Sequence, residues 1–217
     1  MQELFVLIHS EIVKDYSVQI PKLLQKSRSR LNWRVEGTND VYLTFDDGPT
    51  PEITEKVLQI LMSFGVKGTF FCIARNVERH PDIYSKIIEA EMGVGNHTYS
   101  HLNGWKNKKD IYIDDVNLAS DLIQSKLFRP PYGKIRTVQA RKVAEKFKII
   151  MWDVLSKDYA YKTSPKQCFA NVKEYAKAGS IIVFHDSIKA FPKLEYALPK
   201  SIEFLLEKGY NLNTILK

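Results

Sequence analysis

Val41-Tyr42-Leu43-Thr44-Phe45-Asp46-Asp47-Gly48-Pro49 runs from a mostly apolar stretch into two adjacent carboxylates and a Gly-Pro turn. An apolar run this short, bounded by turn residues, reads as a buried strand over residues 41–45. The residues after it decide the fold. An amphipathic helical pattern covers residues 52–64 and a second apolar run covers 68–72, the strand-helix-strand order of a parallel sheet. Working outward, the same reading places strands at 91–95, 125–128, 148–152, 180–184 and 210–212. Helices fall at 81–90, 111–123, 138–146, 166–176 and 197–208. Pro81 suits a first helical turn, and Gly65, Gly179 and Gly209 stand where helices should stop. About seven such units predict an α/β fold. A complete or incomplete (β/α) barrel is preferred to an open sheet.

Residues 1–40 show weak periodicity, a basic cluster at 26–30, and turn-forming Gly37, Asn39 and Asp40 just before the first clear strand. They are expected to be an N-terminal extension packed on a main domain spanning 41–217. A chain of 217 residues suits one such core. With 44% hydrophobic and 26% charged residues, it is far from disordered or collagen-like composition. The net charge of +7 comes from lysines that are spread out, without a recognition motif, which argues against a nucleic-acid partner. A solvated surface, or attraction to an acidic cell-wall polymer, accounts for it. Cys72 and Cys168 lack the spacing of a zinc knuckle, redox pair or disulfide framework. The apolar run at 4–8 is short for a signal peptide and has acidic residues on both sides, so no export signal is visible. No stretch approaches the roughly 20 apolar residues of a membrane span. Compartment and oligomeric state are not legible.

In an α/β barrel the loops after the strands share one face, and catalytic groups gather there. Asp46, Asp47, His97, His101, Arg129, Asp158 and His185 all follow apolar strands. Adjacent carboxylates such as Asp46 and Asp47 repel each other unless a cation sits beside them, although Asp-Gly-Pro is also ordinary turn chemistry. His97 and His101, four residues apart, are expected to face one side of a helical turn and grip one ion; a solvated surface pair is the plainer alternative. His9 and His80 lack such company and read as structural or solvated. In Arg129-Pro130-Pro131-Tyr132-Gly133 the arginine can orient a carboxylate bidentately and a loop N–H can face an oxyanion, or the segment is a rigid surface turn. A histidine immediately after a buried strand, as at His185, can act as a general acid if a carboxylate keeps it protonated, whereas taken alone it reads as a satisfied structural histidine.

The blocks Thr44–Pro49 and His97–His101, with Arg129–Gly133 and Val183–Asp186 after them in that order, resemble the polysaccharide deacetylases of carbohydrate esterase family four. That family takes in chitin, chitooligosaccharide and peptidoglycan deacetylases, and the resemblance covers about residues 41–216. It implies a distorted (β/α) barrel. By this resemblance Asp46 is the catalytic base, and Asp47, His97 and His101 are the ligands of one divalent metal ion. Arg129 orients Asp46, the Tyr132 N–H faces the oxyanion, His185 is the acid and Asp158 tunes it. Zinc is the default ion, with cobalt, nickel or manganese acceptable to the same donors. The implied activity is hydrolysis of N-acetyl groups on N-acetylglucosamine-type units of a peptidoglycan or chitin-like glycan, with release of acetate. The alternatives are a metal amidohydrolase of the same fold acting on another amide, and a carbohydrate-binding relative without turnover. The chain departs from the family pattern at Leu155, where aspartate is frequent, at Tyr159, where tryptophan is common, and at Val183, where leucine is usual. The acetate pocket, with Tyr159 as a substrate contact, is where these departures bear.

Overall fold

The structure, a computed structural model, describes Val18 and residues 30–215. Its strands are β1 (Leu31–Asn32), β2 (Asp40–Asp46), β3 (Thr69–Cys72), β4 (Gly93–Asn96), β5 (Leu127–Phe128), β6 (Lys148–Ile150), β7 (Val154–Leu155), β8 (Ile181–His185) and β9 (Asn211–Leu212). The helices between them are α1 (Ile53–Ser63), α2 (Ala74–Arg79), α3 (Pro81–Glu89), α4 (Lys109–Leu122), α5 (Thr137–Val143), α6 (Pro165–Tyr175) and α7 (Phe191–Glu207). The strands line up in the order β1-β6-β5-β4-β3-β2-β8-β7, each parallel to its neighbour, and β9 adds beside β2. Among the described residues no ladder joins β1 to β7, so the curled sheet is a distorted, incomplete (β/α) barrel, as the alternating pattern predicts.

Both faces of the central strands are buried, which is why they read as continuous apolar runs. Leu43 and Phe45 of β2 join Phe70, Ile182 and Phe184 in a cluster with α1 and α7. The register sets Phe45 opposite both Phe70 and Phe184, and their rings stack at 4.8 Å and 6.2 Å. Tyr42, Phe71, Ile181 and Val183 point to the other face and build a second cluster with Trp152 and Leu155. That alternation fixes which residues of each strand can reach the barrel interior.

A strap spans the open seam. After β1 the chain crosses to the start of β8, where Arg34 bridges Ser180 and the Val35 N–H donates to the Gly179 carbonyl at 2.9 Å. Arg34 also pairs with the buried Asp153 at 3.1 Å and donates to the Ala178 carbonyl. Gly179 sits at φ +81°, and a Cβ there would lie 2.0 Å from the Val35 carbonyl oxygen. The strap therefore requires glycine. Most of the extension expected at 1–40 lies outside the described residues. Of its described part, Leu31–Asn32 form β1 beside β6, and the Val18 carbonyl accepts from the Leu155 N–H.

Several elements differ from expectation. The strand read over 148–152 stops at Ile150, and β7 forms separately against β8 at the other end of the sheet. Helix α2, six residues long, was not expected. Helix α7 begins at Phe191 rather than 197 and continues through Pro199, because Leu194, Ala197, Leu198, Ser201, Ile202 and Leu205 are all buried on one stripe. Burial of that stripe outweighs the propensity cost of the interior proline.

Candidate active site

Every polar residue singled out in the sequence lies at or just beyond the carboxyl end of a strand: Asp46 on β2, His97 after β4, Arg129 after β5, Asp158 after β7 and His185 on β8. They meet around one cavity of about 580 Å³ whose lining includes Asp46, Asp47, His97, His101, Tyr132, Tyr159 and His185. Arg129 and Asp158 stand behind it, fully buried.

The two aspartates turn opposite ways. Asp46 Oδ1 accepts from Arg129 Nη1 at 2.7 Å, whereas Asp47 Oδ1 lies 3.2 Å from His101 Nε2 and 3.8 Å from His97 Nε2. The divergence is built into the backbone, since Asp47 takes φ 87° while Asp46 is still in the β2 ladder. Behind this turn the Gly48 N–H donates to Asp186 Oδ1 at 3.0 Å, and the Thr54 hydroxyl donates to Asp186 Oδ2 at 2.5 Å. Burial pushes the Asp186 carboxyl up to about 8. Asp186 was not expected to matter, although its place next to His185 at a strand end was a usable signal.

Arg129 does not clasp Asp46 bidentately, as its fork geometry had suggested. One nitrogen, Nη1, serves both Asp46 and the Thr44 hydroxyl at 2.7 Å each, while Nε and Nη2 donate to the Ile150 and Met151 carbonyls. The guanidinium also lies 4.1 Å from the centre of the Phe71 ring. Each branch of the fork is thus occupied, which a fully buried cation requires.

The histidine pair is not helical either. Residues 97–101 form a loop in which Thr98 and His101 take φ 65° and 59°. Asn96 Oδ1 accepts from the Thr98 N–H at 2.8 Å, and Asp115 Oδ2 of α4 accepts from the Tyr99 and Ser100 N–H groups at 3.0 Å each. Asp115 carries no mark in the sequence that separates it from the other acids of α4. The result still converges: ligand atoms of Asp47, His97 and His101 lie within 4.8 Å of one another. His97 Nδ1–H donates to the Arg129 carbonyl at 2.8 Å, leaving Nε2 with its lone pair on the Asp47 side. Burial lowers the His97 pKa to about 4, so the imidazole is neutral, as a ligand must be. Burial pushes the Asp47 carboxyl up, but the hydrogen bond from His101 and the nearby imidazole charge outweigh it and hold it well below the usual carboxylate range. One carboxylate and two imidazoles so disposed fit a single divalent ion.

On the opposite side Asp158 holds His185 twice, accepting from its backbone N–H at 2.7 Å and from Nδ1 at 2.8 Å. Burial alone would lower the His185 pKa, but Asp158, with Asp47 and Asp46 beyond it, raises it to about 9. Tyr159 meets the His185 ring edge-on at 4.9 Å, and Tyr132, 55% exposed, packs on His101 at 4.6 Å. Tyr132 sits at φ 60°, and among the described residues its N–H donates to no protein acceptor. Of the non-glycine residues at positive φ, five lie in these loops: Asp47, Thr98, His101, Tyr132 and Lys157. Strained backbone of this kind gathers where geometry is held for function.

The polysaccharide deacetylase family model matches residues 34–152, more than half of the chain. The chain belongs to that family. Among curated proteins, a peptidoglycan-N-acetylglucosamine deacetylase of Bacillus cereus is 36% identical over 155 residues, covering 68% of this chain and 56% of its own length. The chain thus spans a little over half of that relative. Among solved structures, the Bc1960 peptidoglycan N-acetylglucosamine deacetylase in complex with an N-hydroxybenzamide compound superposes with TM-score 0.83 at 31% identity, covering 90% of this chain and 95% of that one. BA3943, described as a CE4 family pseudoenzyme from Bacillus anthracis, superposes with TM-score 0.74 at 26% identity, covering 85% of this chain and 67% of that one. The polysaccharide deacetylase fold thus accommodates both kinds of site.

The three departures of this family member from the common pattern also line the cavity. Leu155 and Val183 are register partners on β7 and β8, so they form one continuous apolar patch, with Trp152 nearby in the same cluster. Trp152 opens the sequence segment that carries Asp158 and Tyr159, but the sequence assigned it no role. Its buried indole N–H has no partner among the described residues.

Proposed function

We propose that this chain is a metal-dependent hydrolase that removes N-acetyl groups from N-acetylglucosamine-type units of a peptidoglycan or chitin-like glycan and releases acetate. The observation that carries this reading is the divergence of neighbouring carboxylates, Asp46 toward Arg129 and Asp47 toward two imidazoles, with His185 paired to Asp158 across the same cavity. It separates a base from a ligand set and sets an acid opposite.

Asp47, His97 and His101 would hold one divalent ion, zinc by default, with cobalt, nickel or manganese also suited to these donors. When bound, such an ion supplies Lewis acidity that acidifies a water and polarises the acetyl carbonyl. Asp46, held by Arg129, takes the proton of the attacking water. The Tyr132 N–H, turned by its left-handed backbone, donates to the carbonyl oxygen as that atom gains charge. His185, with its pKa raised to about 9, is protonated near neutral pH and gives its Nε2 proton to the sugar nitrogen as the C–N bond breaks. Acetate and a free amine leave. Tyr132 and Tyr159 flank the cavity as sugar contacts.

The test is acetate release from chitooligosaccharides and peptidoglycan fragments, with and without a chelator. Chelation should abolish turnover and added ion should restore it. Asp46→Asn should lower kcat by about 10²-fold or more while metal stays bound, the usual scale for removing a general base. Asp47→Asn should weaken the metal itself. Equal metal loss in the two variants would contradict this division of roles, and an intact site with no acetate release from either substrate would favour the non-catalytic alternative.

A further inference from the structure

Two lysines line the catalytic cavity and have no part in the chemistry above. Lys134 follows the turn after β5 and Lys189 follows β8, and in the sheet those strands are separated by β4, β3 and β2. The two residues therefore come from different walls of the cavity. Lys134 is half-buried, its Nζ 5.4 Å from the centre of the Trp105 ring. Lys189 is exposed, and among the described residues neither lysine is paired with a carboxylate. The acids lining the same cavity, Asp46 and Asp47, are engaged by Arg129 and by the imidazoles.

A neutral glycan gains little from two such cations, because its hydroxyl and amide groups must then compete with water for strongly hydrated ammonium groups. A glycan carrying carboxylates on neighbouring units gains an ion pair at each. Lysine, a point charge on a flexible stem, suits a mobile carboxylate better than one that must be held in a fixed plane. Resting on the deacetylase reading, we infer that Lys134 and Lys189 select for substrate charge. They favour an N-acetylated glycan with carboxylates on the units flanking the one that loses its acetyl group, over a neutral chain of equal length. The carboxylate source is the lactyl group of muramic acid where it is free, or, where a peptide is joined through that carboxyl, the carboxylates of the peptide.

The experiment compares kcat/KM for acetate release on three probes. One is an alternating oligomer of N-acetylglucosamine and N-acetylmuramic acid with free carboxylates. The second is the same oligomer with its carboxylates converted to methyl amides, and the third is tetra-N-acetylchitotetraose. Wild type should prefer the free carboxylates over the methyl amides. Lys134→Gln and Lys189→Gln should each reduce that preference about two- to five-fold, the range for a solvent-exposed ion pair, and the double variant should reduce it further. The preference should also shrink as ionic strength rises from roughly 0.05 to 0.5 M. Equal rates on the charged and methyl-amide probes, or a preference unchanged in the double variant, overturn the inference while leaving deacetylation standing. No acetate from any of the three probes overturns both.

Discussion

His185 is set by opposing influences whose balance can be measured. Burial disfavours the imidazolium, and the double contact with Asp158 overrides it, leaving the pKa at about 9. A catalytic acid must hold its proton, so the alkaline limb of the kcat/KM profile should report this group. Replacing Asp158 with Asn removes the charge and keeps the shape, so the pKa falls and the limb moves to lower pH. A divalent ion beside Asp47 opposes protonation, so both proteins must be compared with the ion saturating. An alkaline limb that stays in place would show that Asp158 does not tune the acid. The linkage to stability has a fixed sign as well. A histidine with a raised folded-state pKa contributes stability that is complete below its unfolded pKa of about 6.5 and is lost as pH rises through about 9. At this scale residue type and a place after a strand were enough to single out Asp46, Asp47, His97, His101 and His185, while the separate role proposed for each came from the family resemblance. What the sequence could not supply was the hydrogen-bond count of Arg129, because that depends on the Ile150 and Met151 carbonyls from a different strand end.

Loops and short elements are where sequence periodicity gives out. A two-residue strand such as β7 has no period to detect, and α2 offers less than two turns. The loop from His97 to His101 has the i, i+4 spacing of a helix, yet Asn96 and Asp115 capture the N–H groups of Thr98, Tyr99 and Ser100, and Thr98 and His101 take positive φ. The turn after β2 obeys the same logic, with Asp186 and Thr54 as its anchors. Gly48 is required there by crowding, since a Cβ would lie 2.0 Å from Asp186 Oδ2. Gly48→Ala should therefore displace the segment that carries Asp47. The expected loss of metal affinity is about 10- to 100-fold, the usual effect of disturbing groups that support a ligand, and metal titration measures it. Unchanged affinity would mean that the Asp186 anchor does not position Asp47.

At the scale of the whole molecule, alternation of strands and helices predicts the barrel, but nothing in that pattern says how its seam is managed. The Arg34 strap joins residues more than a hundred positions apart through one ion pair and a few backbone contacts, none of which has a periodic signature. Long-range convergence is also what makes the proposed metal site a property of the fold rather than of any segment, because Asp47 follows β2 while His97 and His101 follow β4, with β3 between them. An unfolded chain scatters these donors, so an ion bound by all three favours the folded state. At an ion concentration about 100 times Kd the gain is about 2.7 kcal/mol. For a domain of this size each kcal/mol moves Tm by about 2–4 °C, so saturating zinc should raise Tm by roughly 5–10 °C over the chelated protein. Asp47→Asn removes one donor of three and should lose most of that increment, while Asp46→Asn, which removes none, should keep it. Thermal melts of the three proteins with zinc and with chelator make the comparison. An equal increment in all three would mean that the ion binds elsewhere and that Asp47 is not its ligand.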